Sequence, residues 1–443
     1  MTADLRHEHF TIRPGGALRG ALTVPGDKSI SHRAVMLAAI AQGASEIRNW
    51  LAAGDTEATL GAIRDLGIQI ERQDANTLTI HGGAMRQAAG PLNLMNAGTG
   101  IRLLAGVMAG QDFPSVLDGS AQLRRRPMKR ITAPLKLMGA DIESHNGACP
   151  LHIRPAKLTG ITYELPVASA QVKSAILLAG LYGDASTTVI QPGPARDHSE
   201  RMLRSLGVEI SQDGADGNTI TVVPNRHLNP LNMTVPGDVS SAAFLLVAGL
   251  TAPDSDLTVK GVNLNPTRTG IIDVLTEMGA DIQLSNVSEQ AGEPIGDIRA
   301  RTSQLRGIEI GGETVVRMID EFPILMVAAL KAEGETIVRD AKELRVKETD
   351  RIAVMAGELR KMGAEIEERD DGFRIIGPQN LTGAIVDGHD DHRIAMSLTI
   401  AGLVSAEGTI VTDAACAGDS FPGFAEALIN CGAKLLPSAA QSA

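Results

Sequence analysis

Aromatic side chains are nearly missing from this chain: one Trp, two Tyr and seven Phe in 443 residues. So few rings make stacking on bases or sugars an unlikely mode of recognition. Cysteine is as scarce. Cys149, Cys416 and Cys431 are odd in number and have no ligand-like spacing, which fits idle thiols in a reducing cytoplasm. Long apolar runs are missing too. The stretch from Ala242 to Leu250 is far too short to span a bilayer. Met1 to Phe10 carries charged residues and lacks the apolar core of a secretory signal. Positive charge is in deficit: the net charge of −11 argues against generic binding to nucleic acid or anionic membrane. What remains, 43% hydrophobic and 21% charged residues, is the composition of a soluble globular protein.

What is present is a repeat. Six helix-like runs end alike, at Leu66-Gly67-Ile68, Met138-Gly139-Ala140, Leu206-Gly207-Val208, Met278-Gly279-Ala280, Met362-Gly363-Ala364 and Cys431-Gly432-Ala433. The glycines lie 68 to 84 residues apart, and an Ile or Leu follows three positions after each. A unit of that size buries too little apolar surface to stand alone, so six units must pack into larger bodies. Each unit reads strand, helix, strand, helix, strand, strand. In the first, Leu18 to Val24 is a strand, Ser29 to Gln42 a helix, Ser45 to Leu51 a strand and Asp55 to Leu66 a helix. Ile68 to Arg72 and Thr77 to His81 then form a hairpin.

The glycine-terminated helices carry one apolar stripe, as in Ile271, Leu275 and Met278, and the glycine is a C-terminal stop. Pro134 interrupts its copy and predicts a kink. The other helix of each unit is apolar all round, as from Phe244 to Leu250, which predicts burial at the centre of a three-unit group. The sixth unit runs out after Leu436, whereas His9 to Arg13 is a strand without a unit. The N-terminal segment is therefore expected to supply the missing strand. The expected domains are 21–235, and 1–20 with 236–443, joined by two crossings.

The six inner helices begin near Ser29, Gly98, Ser169, Ser240, Asp320 and Asp391. Helix N-termini favour anions, so Asp and Ser there are ordinary caps. Lys28, Arg33, Arg102, Lys173 and Arg393 stand at the wrong end of the dipole unless something anionic sits among them. Arg124-Arg125-Arg126, Arg196 and the segment from Arg345 to Arg351 add to this set. Each alone reads as a solvated charged face. Together, at equivalent helix starts of an acidic protein, they point to a focused site for a small polyanion.

Weaker patterns compete with this reading. Gly98-Thr99-Gly100 lacks the third glycine and the ribose-binding acid of a dinucleotide site. His389-Asp390-Asp391-His392 has metal-like chemistry but reads first as a helix cap. Gly418-Asp419-Ser420 sits near the wrong end for an esterase nucleophile, and Asp197-His198-Ser199 is sequence-adjacent, unlike a triad.

The segments Pro25-Gly26-Asp27-Lys28-Ser29-Ile30-Ser31-His32-Arg33, Asn96-Ala97-Gly98-Thr99, Arg126-Pro127-Met128 and Ser169-Ala170-Gln171 are joined by Arg345 to Arg351 and Asp391-His392-Arg393. In this order, over essentially the whole chain, they resemble the 5-enolpyruvylshikimate-3-phosphate synthase family. Ser169 to Ser174 and Arg196-Asp197-His198-Ser199-Glu200 look closer to its class II branch. The resemblance implies an α/β fold of two inside-out domains, each of three βαβαββ units, hinged around an interdomain active site. Open and closed states are expected with it. It implies transfer of the enolpyruvyl group of phosphoenolpyruvate to the 5-hydroxyl of shikimate 3-phosphate, with no metal and no organic cofactor. A cytoplasmic monomer of the shikimate pathway, of the kind targeted by glyphosate, is the corresponding expectation.

Both substrates carry a carboxylate and a phosphate, which calls for several Arg and Lys. By resemblance, Lys28, Gly98, Arg126, Gln171, Arg351 and Arg393 hold phosphoenolpyruvate. Lys28, Ser29, Arg33, Ser169, Ala170, Gln171, Arg196, Asp320 and Lys347 hold shikimate 3-phosphate. Asp320 is the base at the hydroxyl, and Glu348 and Lys28 are candidate proton carriers at the methylene. Two positions depart from the family pattern. Asp419 stands where the other branch places a lysine, and Gly98 stands where glyphosate-tolerant members carry alanine. The related transferase acting on UDP-N-acetylglucosamine has an asparagine after the first lysine and a cysteine in the second unit. Here Ser29 follows Lys28, and Cys149 lies past the Arg126 loop. An acidic, repeat-built DNA clamp would spread cations over equivalent helices, whereas this chain mixes Asp320, Glu348 and Ser240 among them.

Overall fold

The computed structural model describes residues 7–214 and 217–438. Among the described residues six four-stranded sheets recur with one pattern: a parallel edge strand, the strand that follows the inner helix, and two antiparallel strands, which are consecutive in the chain in every repeat but the sixth. In the second repeat these are Leu92–Asn93, Ser115–Asp118, Ala148–Arg154 and Asp141–His145. The outer helices end in the same device. Gly67, Gly139, Gly207, Gly279, Gly363 and Gly432 all have φ between 84° and 103°. The next residue's N–H reaches back five positions, as in Ala140 N to Leu135 O (3.0 Å) and Ala364 N to Leu359 O (3.1 Å). This is the Schellman arrangement. It satisfies the orphan carbonyls and aims the chain into the hairpin. Pro134 lies inside the helix Lys129–Leu137.

The inner helices are Lys28–Ile40, Gly98–Met108, Ala170–Gly180, Val239–Thr251, Phe322–Lys331 and His392–Leu403. Each begins within two residues of its expected start. Their side chains are buried almost throughout, because the helices pack on each other at the centre of their group and the sheets lie outside. Gly106 marks the closest approach: a methyl there would stand 2.2 Å from the Ala175 carbonyl oxygen.

The chain divides into two compact units, each with its own core. One holds residues 1–25, 236–288 and 294–443, and the other holds 26–235 with 289–293. The second boundary falls at 235/236, the first falls at 25/26 where 20/21 was expected, and residues 289–293 group with the 26–235 unit. The run from Leu18 to Val24, read as the opening strand of the first repeat, has to be corrected. Arg19–Thr23 instead pairs in parallel with Asp256–Asn263, the central strand of the fourth repeat. The first repeat takes Met233–Thr234 as its edge strand. Leu18 and Val24 are buried in the core of the 236–443 unit, and that burial decides which sheet the strand joins. His9–Ile12 lies between Thr409–Thr412 and Leu435–Pro437, antiparallel to both, and so completes the sixth sheet.

Candidate functional site

In the 26–235 unit the site residues gather at the starts of three inner helices. The Lys28–Ile40 helix is capped by Asp27, whose carboxylate accepts from Ile30 N (2.9 Å). Lys28 Nζ pairs with Asp55 (2.6 Å) at the edge of solvent. Ser29 offers its carbonyl to Arg33 Nη1 (2.9 Å). The Gly98–Met108 helix has no side-chain cap and no acid in its first turn. A methyl on Gly98 would meet Arg126 Nη1 at 2.7 Å and Arg102 Nη1 at 3.1 Å, so two guanidinium groups converge on one uncapped helix start. Like charges that crowd onto free N–H groups favour an anion there.

The Ala170–Gly180 helix, with Ser169 before it, also lacks a side-chain cap. Gln171 ties this helix to the previous one: its amide donates to Thr99 Oγ1 (3.0 Å), and its Oε1 accepts from Arg102 Nη1 (2.9 Å). Arg33 is buried, with Nε on Ser199 Oγ (2.8 Å) and Nη2 on Ser174 Oγ (2.9 Å). Burial is the largest influence on this guanidinium and pushes it down to about 10, with Arg196 nearby acting the same way against Glu200 and Asp27. The anion inferred beside Lys173 is a protein side chain, which corrects the expectation of a ligand there. Lys173 Nζ meets Glu200 Oε1 at 2.6 Å, and both side chains are buried.

In the other unit, carboxylates and arginines alternate. Asp238 caps Val239–Thr251 through Ser240 N (2.8 Å), and Asp391 caps His392–Leu403 through Arg393 N (3.0 Å). Asp320 faces three guanidinium groups: Arg351 Nη1 at 3.4 Å, Arg393 Nη2 at 3.7 Å and Arg268 Nη1 at 3.8 Å. Arg351 donates to Asp391 through Nε (2.8 Å) and to Glu348 through Nη2 (2.8 Å). Burial works against its charge, but Asp391, Glu348 and Asp320 outweigh it and raise the guanidinium above its ordinary value. Arg268 Nη2 reaches Ser240 Oγ (2.8 Å) and Asp238 Oδ1 (3.1 Å), and Ser240 Oγ donates to the buried Glu321. Arg393 Nη1 lies 3.9 Å from Glu321.

Not every expected residue joins a cluster. Lys347 pairs with the exposed Glu343 (2.8 Å). Arg345 is spent on Asp350 (2.8 Å) and the carbonyls of Asp370 and Arg369. His389 Nε2 meets Glu358 Oε1 at 2.7 Å, and Asp391 is committed to Arg351, so the His389 to His392 cluster serves structure. Among the described residues no group of three or more His, Cys, Asp or Glu could hold a metal. His198 pairs with Glu293 (2.7 Å) and Ser199 with Arg33, so these neighbours form no triad.

Arg268 and Glu321 were missed. The signal for Arg268 was present: an arginine precedes or opens the outer helix in several repeats, as with Arg126, Arg196 and Arg351, and Arg268 lies two residues before Gly270–Glu277. Glu321 reads as a helix-start acid, and nothing local marks it as the partner of Ser240.

Two guanidinium groups at one uncapped helix start in one unit, and a carboxylate set among three arginines in the other, suit the chemistry of small polyanions. The family model for EPSP synthase (3-phosphoshikimate 1-carboxyvinyltransferase) matches residues 12–428. A 3-phosphoshikimate 1-carboxyvinyltransferase of Geobacter sp. (strain M21) is 50% identical over 95% of this chain and 98% of its own length. One from Acidithiobacillus ferrooxidans (strain ATCC 53993 / BNL-5-31) is 51% identical over 94% of this chain and 96% of its own. The solved EPSP synthase from Acinetobacter baumannii superposes with a TM-score of 0.89 at 43% identity, covering 97% of this chain and 99% of that one. The chain belongs to the EPSP synthase family.

Proposed function

We propose that this enzyme transfers the enolpyruvyl group of phosphoenolpyruvate to the 5-hydroxyl of shikimate 3-phosphate and releases phosphate. The observation that carries the reading is the convergence of Arg126 and Arg102 on the uncapped start at Gly98, which suits a doubly anionic three-carbon acid. Arg126, Lys28, Gln171, Arg351 and Arg393 are the groups proposed for phosphoenolpyruvate, with Gly98 allowing close approach. Ser29, Arg33, Ser169, the Ala170 backbone, Gln171, Arg196 and Lys347 are those proposed for shikimate 3-phosphate.

The reaction proceeds by addition and elimination. The hydroxyl oxygen bonds to C2 of phosphoenolpyruvate while C3 gains a proton. The tetrahedral adduct then loses phosphate and a proton from the new methyl group, restoring the double bond. No electrons are gained or lost, so proton transfer and charge stabilisation suffice, and we propose no metal and no organic cofactor. Asp320, held among three arginines, accepts the hydroxyl proton. Glu348 or Lys28 serves C3, each beside a counter-charge, Arg351 or Asp55. No helix among the described residues is long and apolar enough to cross a membrane. A cytoplasmic monomer of the shikimate pathway is the accompanying proposal.

The deciding assay is phosphate release from phosphoenolpyruvate, with and without shikimate 3-phosphate, in a metal chelator. Release that requires both substrates and ignores the chelator supports the reading. No release, or release only with UDP-N-acetylglucosamine, overturns the acceptor.

A further inference from the structure

Lys173 lies one turn inside the Ala170–Gly180 helix, where it is fully buried and has no place in a substrate-binding set. Its ammonium makes two contacts: Glu200 Oε1 at 2.6 Å and the carbonyl of Ala195 at 3.3 Å. Ala195 is the residue before Arg196. The next helix position, Ser174, accepts from Ser199 Oγ and Arg33 Nη2. Two consecutive residues of one helix therefore hold the 195–200 segment from beneath at three points: a carbonyl, a hydroxyl and a carboxylate.

An arrangement of this kind has a cost. Removing a lysine and a glutamate from water is repaid only in part by their attraction, and well-packed apolar residues in their place are often as stable or more so. Glu200 Oε2 adds to the cost, since it lies buried without a hydrogen bond. Stability alone is thus a poor reason for the pair. Its geometry supplies another: the ammonium is the group that fixes the carbonyl behind Arg196, whose guanidinium must be set beside that of Arg33 against their mutual repulsion.

We propose that Lys173 is a positioning residue that presets Arg196 for the phosphate-bearing acceptor. The inference rests on the proposed role of Arg196 in binding shikimate 3-phosphate. Preorganisation of this kind acts on binding, so its loss should fall on KM for the acceptor rather than on kcat or on KM for phosphoenolpyruvate.

The test separates positioning from stability. The double variant Lys173→Met/Glu200→Met removes both charges at similar volume. It should keep its melting temperature within a few degrees while KM for shikimate 3-phosphate rises about tenfold, with kcat within about threefold. Glu200→Gln keeps the Lys173 contact to Ala195; it should lower the melting temperature while leaving that KM near wild type. Recovery of both stability and KM in the double variant, or a KM that follows melting temperature in both variants, would overturn the proposal. Arg196→Ala should raise the same KM, and adding it to the double variant should bring little further loss, because coupled residues are not additive. An Arg196→Ala enzyme with unchanged KM would instead sink the acceptor-binding role on which the inference rests. Amide hydrogen exchange across residues 193–198 tests the clamp itself without substrate. Faster exchange in the double variant supports it, and unchanged exchange removes it.

Discussion

The helix starts of the two units solve opposite problems with the same repeat. In the 26–235 unit, Gly98–Met108 and Ala170–Gly180 begin without side-chain caps, and guanidinium groups crowd where an acid would ordinarily sit. In the other unit, Asp238 and Asp391 cap their helices and also hold Arg268 and Arg351. The first arrangement gathers positive charge at an uncapped helix start, where an anion is favoured. The second sets carboxylates, Asp320 above all, among arginines. Caps alone do not make the contrast: Asp27 caps Lys28–Ile40 in the first unit, and Phe322–Lys331 in the second begins without a side-chain cap beside Asp320.

The comparison breaks most severely at Asp320. Asp320→Ala should lower kcat by about 10²–10⁴ with little change in either KM, as expected for a general base; near-normal turnover would remove it from that role. On the anion-binding side, Arg126→Ala should raise KM for phosphoenolpyruvate about 10- to 100-fold, the value of a charged hydrogen bond, with less effect on kcat. Equal losses in both steady-state constants would blur the division. Gly98→Ala sharpens it further, since the new methyl forces the Arg126 and Arg102 guanidinium groups aside. A rise of about 3- to 10-fold in KM for phosphoenolpyruvate is expected, with the acceptor KM unmoved.

A pH experiment probes the first helix start from within. His32 is buried against Thr59 (2.8 Å), and burial, partly opposed by Asp55, lowers it to about 3. Between that value and its ordinary 6.5, the unfolded chain binds the proton and the folded one does not, so stability falls as pH falls. The slope due to this one group is at most about 1.4 kcal/mol per pH unit. Denaturant melts from pH 6.5 to 5 should show a shallower slope in His32→Gln. The smallest effect is expected where the repeats are alike. Gly363 has φ +84°, and a methyl there would meet Thr382 Oγ1 at an ordinary 3.5 Å, so Gly363→Ala should cost about 1 kcal/mol of stability and leave both KM values unchanged.

Legibility followed the range of the interactions. The six glycine stops were readable because a Schellman turn is written within six consecutive residues. The inner helices were readable because a helix apolar on every side has to be buried. The destination of Leu18 to Val24 was not readable, since its pattern says strand but not whose: its partner, Asp256–Asn263, lies more than 200 residues on. The same limit governed the site. Lys28, Arg126, Arg351 and Arg393 stood out as cations at the wrong end of helices. Their counter-ions did not, because Asp55 reaches Lys28, Glu200 reaches Lys173 and Asp391 reaches Arg351 from other segments.

The sequence by itself determined the repeat, its six turning points, the buried helices and the types of charge at their starts, since each follows from propensity and periodicity over a few neighbouring residues. Only the tertiary structure decided which strand closes which sheet and which carboxylate meets which cation. Those outcomes depend on burial and on Coulomb partners that chain separation hides and packing brings within about 4 Å.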